Sequence, residues 1–67
     1  MITVRLTDGT LVHGFGADSV FARTIAGNFD PFWQAAAEAS VAHSDGDLYA
    51  GLVALPGARV IRDVQGL

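Results

Sequence analysis

A chain of 67 residues with seven acids, four arginines, no lysine and a formal net charge of −3 makes one small domain and a poor generic binder of phosphate backbones. About half of it (51%) is apolar and it has no cysteine. At this size folding buries only about 60% of the unfolded surface, so oligomerisation or docking on a larger body is the remaining source of stability. No apolar run reaches the ~20 residues of a membrane span, and the first residues lack the charged head and apolar stretch of a signal peptide. The expectation is no membrane contact and, by default, a cytoplasmic location. The alanine, glycine and arginine bias fits a GC-rich genome.

The first element is a hairpin. In ITVRLTDGTLVHGFG, residues 2–16, two short β-prone runs flank Asp8-Gly9, and a two-residue turn there demands positive φ at both positions. Counting outward pairs Leu6 with Leu11, Val4 with His13 and Ile2 with Phe15 on one face, taken as the core face. Arg5 with Val12 and Thr3 with Gly14 fall on the other. GFG followed by Ala17, Asp18 and Ser19 lacks the third glycine and the following helix of a dinucleotide loop, and reads as a bend or bulge. A third strand is predicted over 20–25.

A helix follows over 31–43, with Asp30 placed to cap free amides and Pro31 suited to the first helical position. Phe32, Ala35, Ala36, Ala39 and Ala42 form its predicted contact stripe, with Trp33, Ala37 and Val41 widening the arc sideways. His43 suits the dipole at the carboxyl end. Two further strands, 48–55 and 58–64, are predicted around Pro56-Gly57, a pair that favours a type II turn. Paired, they would be apolar on both faces, with Tyr49, Val53, Val60 and Val64 on one side and Leu48, Leu52 and Ile61 on the other. One helix covers only one face, so the other should meet another chain.

The spacing of Val4, Leu6, Asp8-Gly9 and Gly14 resembles the first motif of Sm-like RNA-binding proteins, and VIRDV at 60–64 resembles the second. The resemblance implies an SH3-like barrel and RNA binding. The sequence lacks the aspartate and asparagine that the family places after its second strand to hold a base. Asp63 stands where the second motif has glycine, and a helix from Pro31 intervenes, so the base-binding residues do not carry over.

Chemistry has few candidates. There is one glutamate, Glu38, and no serine in a nucleophile-elbow context. Ser19, His13 and Asp18 are close in sequence but diverge at the bend. His13 and His43 lie some thirty residues apart, and Asp45-Gly46-Asp47 lacks the glycine position and distal glutamate of a calcium loop. The expectation is therefore no enzyme, no cofactor and no metal.

The sequence as a whole predicts an α+β single domain over 1–67, in the order β-β-β-α-β-β. Its sheet should be a strongly bent antiparallel one or a partly open SH3-like barrel closed by one alanine-rich helix. The function expected is a non-enzymatic protein-binding or assembly module, homo-oligomeric or docked on a larger particle. An accessory structural protein of a phage or virus, located in the virion, fits this description. A small inhibitor or adaptor of a host protein and an Sm-like RNA-binding module are the alternatives, with nucleic acid the less favoured partner. The candidate interface is Trp33, Tyr49, Leu52, Val53, Val60 and Ile61.

Overall fold

The computed structural model describes residues 2–16 and 19–62. The protein is a small α+β domain in which strands β1 (Ile2–Arg5), β2 (Leu11–Gly16), β3 (Ser19–Arg23) and β4 (Arg59–Arg62) form one antiparallel sheet in the order β3-β2-β1-β4. Helices α1 (Pro31–His43) and α2 (Leu48–Val53) both pack on one face of that sheet.

The opening hairpin forms around Asp8-Gly9, but its register is one residue away from the predicted one. The observed partners are Val4 with Val12 and Thr3 with His13. The loop has three residues, not two: Gly9 N–H donates to the Leu6 carbonyl (3.0 Å), Leu6 N–H donates to the Thr10 carbonyl (2.8 Å), and only Gly9 takes positive φ (+92°). This is a type I turn closed by a glycine bulge. The Asp8 carboxylate favours it by accepting the Thr10 amide (2.8 Å). Because side chains alternate, the slip puts His13 on the opposite face from Val4 and gives Val12 to the core. A second turn repeats the design, with Gly27 N–H on the Thr24 carbonyl (2.9 Å) and Thr24 N–H on the Asn28 carbonyl (2.7 Å).

The expected bulge is present where β2 leaves Gly14, since Gly14 pairs with Val20 but Gly16 with Ser19. Ala17 and Asp18 lie outside the described residues.

Helix α1 starts as predicted: Asp30 accepts the amides of Phe32 (3.1 Å) and Trp33 (3.2 Å), with Pro31 at the first turn. Its buried face is rotated from the predicted alanine stripe. Ala37 and Val41 are buried and Trp33 packs on the core, whereas Phe32 is 71% exposed and Ala35, Ala39 and Ala42 face outward. Area decides this, because seating Trp33 and Val41 removes more apolar surface from water than seating small alanines.

Residues 48–53, predicted as strand, form α2. Asp47 caps it through the Ala50 amide (3.0 Å), and Leu48, Leu52 and Leu55 recur at helical spacing along the buried side. The helix presses on the sheet where Gly14 has no side chain, since a Cβ there would stand 3.2 Å from Leu52 Cδ1 and 3.4 Å from Leu48 Cδ1. It presses on α1 at Gly51, whose Cβ would fall 2.5 Å from Val41 Cα. Ser40 Oγ donates to the Gly51 carbonyl at the same crossing. After α2, the Ala58 amide donates to the Leu55 carbonyl (3.0 Å) and Gly57 has φ +72°, the backbone that a type II turn at Pro56-Gly57 requires. The last strand then pairs with β1, not with residues 48–55. Asp63 and Val64 lie outside the described residues.

Candidate binding face

The sheet has two unlike faces. Val4, Leu6, Val12, Val20 and Ala22 point to the helices and form the core with Ala37, Val41, Leu52 and Leu55. The face without helices carries, in one row across the strands from β4 to β3, Arg59, Arg5, Leu11 and Arg23. The next row contains Thr3, His13 and Phe21. Phe15 and Phe29 flank it, with Phe15 6.0 Å from the His13 ring and Phe29 5.6 Å from Phe21, centroid to centroid.

Thr3 and His13 are fully buried on this second face, which makes their polarity costly. Thr3 Oγ1 and His13 Nδ1 lie 3.2 Å apart and satisfy one another, while His13 Nε2 has no partner among the described residues. Burial pushes the His13 imidazolium below its ordinary pKa, and the positive charge of Arg23 adds to the effect. His13 is therefore held as neutral imidazole. Among the described residues no group of three or more histidine and acidic side chains is placed to hold a metal.

The arginines differ in how they are used. Arg23 is structural, for its guanidinium lies over the Phe21 ring, 5.2 Å from the centroid, and donates to the Gly27 carbonyl (3.1 Å), pinning the second turn to the sheet. Arg5 and Arg59 are cross-strand partners, exposed, and form no ion pair or side-chain hydrogen bond among the described residues. They line an open cleft of about 590 Å³ whose other walls include Leu6, Ile25 and the glycine turns at Gly9 and Gly57.

The described acids lie elsewhere and have local partners. Glu38 accepts from Gln34 (2.8 Å), Asp30 and Asp47 cap helices, and Asp45 occupies the α1–α2 turn at φ +57°. Asp8 receives the Thr10 amide, which holds its carboxyl below the usual range, and also the indole N–H of Trp33 (3.1 Å). Among the described residues, positive charge is thus gathered on the helix-free face and negative charge on the helix side and loops.

The β3 edge of the sheet is closed by the chain itself. At β3, Gln34 acts as a short neighbouring strand, accepting the Ala22 amide (2.8 Å) through Oε1 and donating to the Val20 carbonyl through Nε2. Asp30 N–H bonds the Ala22 carbonyl (3.1 Å) beside it. This closes an edge that would otherwise template another chain.

The six residues expected at an interface have unlike surroundings. Leu52 is at the centre of the core. Trp33 is half-buried and fixed to Asp8, Tyr49 and Val53 are exposed on α2, and Val60 is exposed on β4 with Ile61 half-buried beside it at a register shift. Sequence reading missed the Arg5–Arg59 pair, because an arginine on the first strand can be matched to one near the end only after β4 is known to pair with β1. Comparison with family models, with curated proteins and with solved structures finds no match. Among the described residues no helix is long and apolar enough to cross a membrane.

Proposed function

We propose that the protein is a non-enzymatic assembly module that binds through its helix-free face, and that the partner on that face is the acidic helix side of a second copy. The observation that supports this is the separation of charge between the two sides: Arg5, Arg23 and Arg59 in one row, against Glu38, Asp45 and Asp47 around the helices. Such a pair of surfaces is self-complementary head to tail, an arrangement that continues from copy to copy unless rotation closes it into a ring. Exposed Phe15 and Phe29 on the first side and Phe32 and Tyr49 on the second provide apolar area to bury. The non-enzymatic part rests on the described polar side chains: Asp30 and Asp47 cap helices, Asp8 holds a turn, and among the described residues His13 is buried without a second titratable group beside it suited to general acid–base work.

Sedimentation velocity over a concentration series tests this reading. Association that grows with concentration and weakens as salt rises from about 0.05 to 0.5 M is expected, since exposed charges are screened over that range. A single monomeric species at every concentration and low salt would overturn it.

A further inference from the structure

We propose that the Arg5–Arg59 cleft is a binding site for the oxyanion end, carboxylate or phosphoryl, of a small ligand with an aliphatic body. This goes beyond self-assembly and does not require it. Arg5 and Arg59 stand directly opposite one another on neighbouring antiparallel strands. Like charges so placed repel, and a sheet that needed only stability gains nothing from them. No described carboxylate pairs with either, although the chain has more acids than bases. An oxyanion between them removes the repulsion and meets two planar forks, the geometry in which arginine binds carboxylate or phosphate most strongly.

The walls supply the rest of the specificity. Ile25 is 83% exposed and lies against the backbone of Gly9, where a Cβ would come within 3.1 Å of Ile25 Cβ. Leu6 lines the same cleft. An isoleucine spread over a glycine turn next to two cations that have no partner among the described residues forms an apolar shelf, to which the aliphatic body is assigned. The two loops that frame the cleft brace one another: Thr7 sits 3.0 Å from the position a Gly57 Cβ would take, so the β1–β2 loop and the α2–β4 turn are in contact. A volume of about 590 Å³ falls in the range of small-molecule clefts.

The test is an amide-resolved NMR titration of the whole chain, kept dilute, with three probes: isovalerate, uncharged isovaleramide, and inorganic phosphate. Saturable shifts centred on Arg5, Gly57 and Arg59 are expected with at least one of the two anions and not with the amide. Response to isovalerate identifies a carboxylate ligand, and response to phosphate alone a phosphoryl one. Arg5→Gln and Arg59→Gln should each weaken anion binding by about tenfold or more, on the scale of hydrogen bonds to charged groups. Neither should lower the melting temperature, because each removes a like-charge contact. Ile25→Ala should weaken isovalerate while leaving phosphate unchanged. The proposal is overturned by no saturable shift with either anion, by equal binding of the amide, or by anion binding that survives in the Arg5→Gln/Arg59→Gln double variant. Tight, salt-steep binding of oligothymidylate that ignores Ile25→Ala would also overturn it, in favour of a single-stranded nucleic acid. Failure here leaves the sedimentation result untouched, so the two readings fall separately.

Discussion

The two faces of one sheet are built from neighbouring residues by different rules. Toward the helices the sheet packs Val4, Leu6, Val12, Val20 and Ala22, with Thr10 buried at the hairpin end, and the closest approaches occur where side chains are missing, at Gly14 under Leu52 and at Gly51 against Val41. Away from the helices the sheet buries a threonine and a histidine and displays arginines and phenylalanines. The first face explains why the chain folds. The second contains Arg5 and Arg59, an exposed like-charge pair that folding alone does not require.

The largest effect should come from breaking that contrast at a single step of chain. Val12 is fully buried among the helices, and Leu11, one residue earlier, lies half-buried between Arg5 and Arg23 on the opposite face. Val12→Asp places a carboxylate in the core at a cost of several kcal/mol, which exceeds the whole stability expected of a domain this small. Circular dichroism should report an unfolded chain. Leu11→Asp gains two flanking cations and should stay folded. Equal damage from both would show that the faces are not different in kind.

A smaller effect sharpens the account of the covered face. Gly51→Ala drives a methyl to within 2.5 Å of Val41 Cα, a backbone atom that cannot step aside without moving α1. The loss should be about 1–3 kcal/mol, the scale of overpacking, seen as a lowered denaturation midpoint with unchanged slope. An unaltered midpoint would mean that the helices are not held at this crossing.

The two glycine turns allow a controlled comparison at the rim. Gly9 and Gly27 have nearly the same φ, +92° and +88°, in the same type of turn, but a Cβ at Gly9 meets Ile25 at 3.1 Å whereas one at Gly27 meets nothing within 4 Å. Gly27→Val should cost about 1 kcal/mol from backbone strain alone, and Gly9→Val somewhat more, within the ~1–3 kcal/mol range of such strain. Thermal melts that rank them the other way would remove Ile25 from the wall of the cleft.

Much of the covered face is legible in the sequence and most of the helix-free face is not, for physical reasons. Asp30-Pro31 states a helix start through local hydrogen-bond chemistry, and the first hairpin needs no distant residue. Its register is ambiguous because Asp-Gly serves both two-residue and three-residue loops, and the choice depends on Asp8 binding the Thr10 amide. The apolar run at 48–55 reads as strand, although Asp47 followed by Leu48, Leu52 and Leu55 carries a cap and a helical period. Missing α2 hides the rest. With those residues in the sheet, β4 has a false partner, and Arg59 cannot be seen opposite Arg5.

The gentlest prediction concerns His13. Its folded pKa is lowered, first by burial and then by Arg23, so the unfolded chain binds a proton at a higher pH than the folded one. Below the ordinary imidazole value of about 6.5 the unfolded state therefore takes up more protons, and stability falls with falling pH until the folded value is passed. Above that ordinary value the contribution is fully present and flat. In a His43→Gln background the imidazole at position 13 is the only one left in the chain. Urea midpoints in that background should hold level from pH 8 to about 7 and decline toward about pH 5.5, above the ordinary carboxylate values of about 4. Replacing His13 as well, by Gln, should flatten the decline even if the added variant is less stable throughout. A decline that persists without His13 would place the titrating group elsewhere, and would remove the case that the helix-free face buries a neutral imidazole.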